Sequence, residues 1–224
     1  AMSFAQSSML ATLSHDGEIS VYYGASALCS AMEAAENGDA ITLSSGQFYA
    51  VDITKAVVLR GAGMSVNTDS INSHESTIIQ GDFKIDVSDS IESRLIMEGL
   101  YVSGHISSLH NLKNAQFLKC RFESFSVYTG GIITNTSFIH CRICDDYTQS
   151  SDSYVYFINS LVCDPIQYFT QNSFMEFDNC FVKFDGENVT SVQNAYYKNC
   201  ILQTVGNSSS EYYKTIPTNS TAYT

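Results

Sequence analysis

The most constraining feature of this sequence is a nine-residue phrase that recurs about every twenty residues. Its clearest copies begin at Asn114 (NAQFLKCRF) and Asn135 (NTSFIHCRI), and fainter copies begin at Tyr154, Phe174 and Asn194. The seventh position of the five copies is small and, with one exception, sulfur-containing: Cys120, Cys141, Ser160, Cys180 and Cys200. Repetition with this period predicts a solenoid, in which each repeat forms one coil stacked on the previous coil.

The positions around this cysteine column indicate short strands separated by a corner. An aromatic residue stands three positions before the column: Phe117, Phe138, Phe157, Phe177 and Tyr197. The position directly before the column is polar in every copy, and in the last three copies it is asparagine: Lys119, His140, Asn159, Asn179 and Asn199. Alternation of inward and outward side chains slips by one residue here, which a straight strand does not tolerate. Because asparagine accepts left-handed backbone conformation, we expect the asparagines to stack at a corner.

The same stacking explains the cysteines without invoking reactivity. Vertical neighbours in parallel strands have parallel Cα–Cβ directions, which do not suit disulfide geometry. We therefore interpret the column as a structural ladder of small polarizable side chains rather than a redox or metal site. Weaker copies extend the repeat backwards and place Gly61, Gly81 and Gly99 in this column, so that about nine coils are predicted.

The N-terminal part of the chain predicts a helix before the coils. The stretch SALCSAMEAAEN from Ser26 has apolar residues at helical spacing, with Gly38 just after it. We expect an amphipathic capping helix near residues 26–37, because the open end of a solenoid exposes its core.

The stretch GDAITLSSGQFYAVDITKAVVLRGAG and the later phrases with asparagine before cysteine carry a family resemblance. The sequence resembles right-handed parallel β-helices of the pectin-lyase-like superfamily, in a non-catalytic or uncharacterised bacterial secreted branch. The resemblance implies an all-β fold, a single-stranded right-handed parallel β-helix. It does not imply one activity, because that fold hosts lyases, hydrolases, esterases and adhesins.

The repeat also divides the chain. Residues 1–20 are predicted to be a signal-peptide remnant or N-terminal arm, because the opening AMSFAQSSM is small, apolar and then polar. Residues 21–206 are predicted to form the β-helix, and residues 207–224 a C-terminal cap or tail. We therefore expect a protein that is secreted, periplasmic or bound at the cell surface.

Charge limits the partners that this protein can have. The 23 acidic and 11 basic residues give a formal net charge of −12. Such a surface repels nucleic acid and anionic membranes, and no apolar run is long enough for a membrane span. Polysaccharides and surface glycans remain candidate partners, and the oligomeric state stays open.

Two features are candidates for a ligand site. Asp145, Asp146, Asp164 and Asp185 fall about one coil apart and predict an acidic ridge, for which Ca²⁺ is the one cofactor considered. Tyrosines that we expect to be exposed near the ridge and between the coils suit contact with sugar faces: Tyr147, Tyr154, Tyr156, Tyr168 and Tyr196. The leading hypothesis is a non-catalytic module that contacts glycans or other surfaces. The alternative is a divergent polysaccharide lyase or glycoside hydrolase that uses the ridge.

Overall fold

The computed structural model describes residues 9–64, 76–87, 94–108, 112–127, 133–149, 154–163, 165–167, 174–185, 195–205 and 221–223. These residues are mostly β-strand and form a β-solenoid of about six turns. In chain order the elements are β1 (Leu10–His15), β2 (Glu18–Tyr23), α1 (Ala27–Ala34), β3 (Ala40–Leu43), β4 (Gly46–Tyr49), β5 (Val58–Arg60), β6 (Thr77–Gln80), β7 (Phe83–Ile85), β8 (Ile96–Glu98), β9 (Tyr101–Ser108), β10 (Leu112–Lys113), β11 (Gln116–Leu118), β12 (Arg121–Val127), β13 (Ile133–Thr134), β14 (Thr136–Ile139), β15 (Arg142–Gln149), β16 (Tyr154–Ile158), β17 (Leu161–Cys163), β18 (Pro165–Gln167), β19 (Phe174–Asp178), β20 (Phe181–Asp185), β21 (Ala195–Lys198), β22 (Ile201–Val205) and β23 (Thr221–Tyr223).

Two long sheets run the length of the solenoid. The first sheet has ten strands in the order β2-β1-β3-β5-β8-β11-β14-β16-β19-β21. The second sheet has eleven strands in the order β23-β22-β20-β17-β15-β12-β9-β6-β4, with β7 and β18 pairing beside this path. From β8 onward, each regular turn adds one strand to each sheet, and successive strands pair in parallel. The predicted stacking of residues about twenty apart is therefore confirmed.

A single left-handed residue forms the corner between the two strands of each regular turn. The backbone angle φ is +49° at Lys119, +53° at His140, +49° at Asn159, +54° at Asn179 and +53° at Asn199. The N–H groups of the first four of these residues, Lys119 to Asn179, donate to a carbonyl of the next turn, as from Asn159 to Asp178 at 2.9 Å. The predicted corner is confirmed, with the three asparagines in a left-handed conformation that asparagine tolerates better than most residues do.

The core consists of stacked identical positions. The rings of Phe117, Phe138, Phe157, Phe177 and Tyr197 follow one another with centroid separations of 4.6, 5.1, 4.8 and 4.9 Å. Interplanar angles between neighbouring rings lie between 9° and 18°, so the rings form one continuous stack. The apolar position after the corner is also buried in each of these turns: Phe122, Ile143, Val162, Val182 and Leu202. Burial of these columns supplies the main driving force for folding.

The predicted backward extension of the cysteine column is wrong by one position. Glu98 is in register with Leu118, so Gly99 lies at the corner, with φ of +66°, and Leu100 follows it in the cysteine column. Gly61 precedes Gly99 in the corner column, because Arg60 is in register with Glu98. Gly81 belongs to neither column: it follows a strand of the second sheet. A Cβ added at Gly104 would overlap the carbonyl oxygen of Gly81, so position 104 requires glycine.

The N-terminal end of the solenoid carries the helix and an antiparallel hairpin. Helix α1 buries Ala27, Leu28, Ala31 and Met32, and Lys55 Nζ donates to the carbonyls of Met32 and Glu33 at its C-terminal end. Strands β1 and β2 pair with each other in antiparallel fashion, and β1 also pairs antiparallel with β3. The hairpin begins within the predicted N-terminal arm of residues 1–20, whose first eight residues lie outside the described part.

At the other end, β23 pairs in parallel with β22. The remaining residues of the predicted tail, 207–220 and 224, lie outside the described residues. This range includes Tyr212, Tyr213 and Ile216. The right-handed coil and the count of nine coils stay predictions.

An ion pair joins the hairpin to the chain that leaves α1. His15 Nδ1 lies 2.9 Å from Asp39 Oδ1, and Asp39 is 8% exposed. Asp39 Oδ2 also accepts the backbone N–H of Glu36 at 2.7 Å. The side-chain hydrogen bond and charge of Asp39 raise the pKa of His15 above its ordinary value of 6.5.

Replacement of Asn179 tests the corner. Alanine has a Cβ but no side-chain amide that can bond the local backbone, so it tolerates left-handed backbone less well than asparagine. We therefore expect Asn179→Ala to lower the free energy of unfolding by about 1 kcal/mol. Asn179→Gly is the matched control, because glycine adopts this conformation freely, and we expect less destabilisation than for alanine. Thermal unfolding followed by circular dichroism compares the variants. An alanine variant as stable as the glycine variant contradicts the strained corner.

The His15–Asp39 pair predicts a pH dependence. Because the folded-state pKa of His15 is raised, the pair contributes fully below the unfolded pKa near 6.5 and loses its contribution as pH rises through the folded value. We expect the urea midpoint of the wild type to fall across that window relative to His15→Gln. Parallel pH profiles for the two proteins rule out this contribution.

Candidate functional site

The cysteine column lies in the interior and acts as a hydrogen-bonding ladder. Cys120, Cys141, Cys180 and Cys200 are 0–3% exposed, and Ser160 is 4% exposed. Each side chain donates to two carbonyls. Cys180 Sγ lies 3.2 Å from the carbonyl oxygen of Phe157 in the preceding turn and 3.3 Å from that of Asp178 in its own turn. None of the seven cysteines, all of which are described, forms a disulfide.

The same side chains accept the backbone N–H groups that the corner turns inward. The N–H of Cys141 donates to Ser160 Oγ at 3.0 Å, that of Ser160 to Cys180 Sγ at 3.5 Å, and that of Cys180 to Cys200 Sγ at 3.4 Å. A buried N–H without an acceptor is costly, so this position needs a small side chain that both accepts and donates. The predicted structural ladder therefore has a role that the sequence did not reveal.

The surroundings of the buried cysteines shift their thiol pKa values. Burial raises the pKa of Cys141 well above its ordinary value. The hydrogen bond to Cys200, together with burial, raises the pKa of Cys180. Because the thiolate is the nucleophile and the metal ligand, Cys141 and Cys180 are unreactive as long as the coils stay folded. The side-chain hydrogen bond with Cys180 has the opposite effect on its partner and lowers the pKa of Cys200 to about 7.

The predicted acidic ridge is only partly within the described residues. Asp145 is exposed on β15, and Asp146 follows it, in register with Ser124. Asp185 is the last residue of β20, in register with Val205, and Asp164 lies outside the described residues. Within the described part of the chain, no group of three or more His, Cys, Asp or Glu residues is placed to hold a metal ion. The Ca²⁺ site stays a prediction.

The prediction that Tyr147 is exposed is wrong. Its side chain is 0% exposed and stacks on Phe125, with the ring centroids 6.0 Å apart. Its ring also makes a T-shaped contact with Phe157, with the centroids 5.1 Å apart. The cause is a register shift between β12 and β15 after Phe122, which returns Tyr147 to the inward position opposite Phe125. Burial raises the pKa of Tyr147, so its hydroxyl does not ionise at physiological pH. Tyr147 is therefore a core residue and not a ligand contact.

A polar cluster occupies the outer face of the second sheet. Glu123 Oε1 accepts hydrogen bonds from Tyr101 Oη at 2.6 Å and from Arg121 Nη2 at 2.9 Å. The Arg121 guanidinium also lies 4.4 Å from the centre of the Tyr101 ring. Burial, followed by the hydrogen bond to Glu123, raises the pKa of Tyr101 to about 12. The hydrogen bond between Tyr101 and Glu123 and the stacking of Arg121 on Tyr101 join two adjacent turns. Within the described residues, Arg121 Nε is buried without a hydrogen-bond partner.

Sequence reasoning missed this cluster, although a signal exists. Tyr101, Arg121 and Arg142 each follow the cysteine column directly and are in register across three turns. Their stacking follows from the repeat, but the hydrogen bonds to Glu123 depend on side-chain reach, which spacing does not reveal.

Aromatic side chains form a row on the outer face of the first sheet. The Tyr154 and Phe174 rings lie 5.6 Å apart, and the Phe174 and Tyr196 rings lie 4.8 Å apart. Tyr154 is 49% exposed and Tyr196 is 60% exposed. We call these three residues the aromatic row. The predicted exposure of Tyr154 and Tyr196 is confirmed.

Two further residues flank the aromatic row. Glu176 is in register with Tyr156 on one side and Tyr196 on the other. Both Glu176 and Tyr156 are half-buried. Tyr168, the remaining predicted tyrosine, lies outside the described residues. The face thus combines ring surfaces with a carboxylate that can accept hydrogen bonds.

The fold and these surfaces define a β-solenoid protein with one aromatic outer face. No family model, curated protein or solved structure matches the chain. Among the described residues, no helix has the length and apolar character needed to cross a membrane.

Replacement of Ser160 tests the interior ladder. Ser160→Ala removes the acceptor for the Cys141 N–H and the donor to the Phe138 and Ile158 carbonyls. We expect a loss of about 1–3 kcal/mol in the free energy of unfolding, because a buried N–H is left unpaired. Ser160→Cys is the matched control, since it restores the group found in the other turns. Equal stability of Ser160→Ala and Ser160→Cys in urea unfolding disproves this role.

Proposed function

We propose that this protein is a non-catalytic, secreted or cell-surface β-helix module that contacts glycans through the aromatic row. We place its fold among right-handed parallel β-helices of the pectin-lyase-like superfamily, in a bacterial branch. Parallel strands joined by crossovers are almost always right-handed, which supports this hand. The position of α1 supports a capping role, because its apolar face is buried at the N-terminal end of the solenoid.

The observation that carries the function is the aromatic row itself. Tyr154, Phe174 and Tyr196 extend outward from three adjacent strands, β16, β19 and β21. Neighbouring strands lie about 4.8 Å apart, so the three rings present a continuous strip on the outer face of the first sheet. Exposed aromatic strips of this kind mark interaction sites, and sugar rings offer a flat C–H face of matching size.

Charge selects among glycans. Glu176 lies beside the aromatic row, and the chain as a whole carries a formal charge of −12. Uronate-rich and sulfated polymers are repelled by this surface, whereas the hydroxyls of neutral sugars donate hydrogen bonds to a carboxylate. The proposed ligand is therefore a neutral polysaccharide or surface glycan.

We assign no catalytic role to the polar cluster around Glu123. Glu123 is held by Tyr101 and Arg121 and serves as a structural acceptor. The lyase or hydrolase alternative uses Asp145 and Asp146, and polymer degradation separates it from simple binding.

Binding to a glycan array and to immobilised neutral polysaccharides tests this function. We expect Tyr196→Ala to weaken binding about fivefold, because loss of roughly 1 kcal/mol of apolar contact corresponds to that factor. Tyr154→Ala should act in the same direction. Tyr49→Ala is the matched control, because Tyr49 is 58% exposed but lies on β4, away from the row.

The same polymers are incubated with the wild type, with and without Ca²⁺, and their chain length is measured. Binding lost in both row variants with polymer length unchanged supports the proposal. Shortened polymer refutes the non-catalytic module, and binding that is unchanged in Tyr154→Ala and Tyr196→Ala refutes the site.

A further inference from the structure

Among the described residues, the first sheet ends in a strand that no other strand covers on its outer edge. Strand β2 is the terminal strand of that sheet and pairs with β1 on one side only, within the described residues. The corresponding end of the second sheet is different, because the Tyr49 N–H of β4 donates to the Ala25 carbonyl at 2.9 Å. An open edge offers unpaired N–H and C=O groups to another strand.

The hairpin turn determines which residues present these groups. Asp16 and Gly17 link β1 to β2 with φ values of +47° and +84°, as in a type I′ turn. In such a turn, His15 and Glu18 exchange backbone hydrogen bonds, and in an antiparallel pair every second residue after Glu18 then bonds to β1. The bond from the Gly24 N–H to the Met9 carbonyl, at 2.8 Å, agrees with this alternation. The backbone groups of the alternate residues therefore point away from β1: Ile19, Val21 and Tyr23.

The side chains of these three residues are apolar and unusually exposed. Ile19 is 71%, Val21 is 44% and Tyr23 is 67% exposed. They share one face of β2, because successive side chains alternate. The edge thus combines free hydrogen-bonding groups with an apolar stripe and has no proline, lysine or bulge to block pairing.

We propose that β2 is a homodimerisation edge, where the β2 strands of two copies pair antiparallel about a two-fold axis at Val21. In this register Val21 faces Val21 of the second copy, and Ile19 faces Tyr23. The three facing pairs are the residues with outward backbone groups, so each pair exchanges two hydrogen bonds. Aromatic and β-branched side chains are favourable cross-strand partners, and the two first sheets become one continuous sheet.

The pattern of β2 favours a second copy over an unrelated strand. The stripe is centred on Val21, so an antiparallel copy matches it residue for residue, which is the self-complementarity of a two-fold interface. Glu18 is the only charged residue of β2, and this register places it opposite Gly24. A parallel arrangement would instead set Glu18 beside Glu18. Repulsion between two chains of formal charge −12 opposes association, so added salt should strengthen the dimer.

Charge pairing at the two-fold axis tests this interface in the full chain. Val21→Lys and Val21→Glu each bring like charges together, and we expect each variant alone to dissociate at least about tenfold more readily than the wild type. An equimolar mixture of the two variants should recover dimers, because lysine then faces glutamate. Analytical ultracentrifugation at several concentrations, centred on about 50 µM, measures the dimer fraction of all three samples.

Gln47→Lys is the matched control, because it adds the same charge at an exposed position on β4. Circular dichroism verifies that every variant is folded. A dimeric wild type, monomeric single variants and a dimeric mixture support the interface. A monomeric wild type at high salt, a dimer that persists in Val21→Lys, or a mixture that stays monomeric overturns it.

Discussion

Every regular turn must bring the chain back to the same corner, and the rest of the molecule depends on this return. One residue at each corner adopts left-handed backbone, and from Gly99 to Asn179 it donates its N–H to the following turn. From Gly99 to Asn199 these residues are separated by 20, 21, 19, 20 and 20 positions. Because the intervals are nearly constant, equivalent residues lie above one another, and the rings and aliphatic side chains of the core stack in columns.

The composition of the interior follows from the corner. Reversal of the backbone at Asn179 directs the N–H of Cys180 into the core, where Cys200 Sγ accepts it. A thiol or a hydroxyl fits there, since each combines small volume with a donor and an acceptor. The abundance of cysteine thus reflects hydrogen bonding, and Ser160 is the chemically equivalent member of the series.

The sequence predicted what repeats and missed what depends on local register. The asparagine corners and aromatic columns recur with fixed spacing, so they could be found. Gly99 was misplaced, because intervals that vary by one residue leave weak copies ambiguous, and Tyr147 was misassigned because a bulge is invisible in spacing. The β1–β2 hairpin had a signal in Asp16-Gly17 between alternating residues, which the expected signal-peptide remnant obscured. The exposed Tyr154 and Tyr196 were predictable, whereas the Glu123 hydrogen bonds were not.

The stack of rings from Phe117 to Tyr197 has an implication for how such a protein changes its length over evolution. The three inner rings, Phe138, Phe157 and Phe177, each stack on an aromatic ring above and below, so the interior offers a similar environment at these levels. Duplication or loss of one whole period therefore leaves every remaining contact intact, whereas gain or loss of a few residues within a strand disturbs all columns at once. A solenoid of this kind therefore lengthens or shortens by whole turns of the chain.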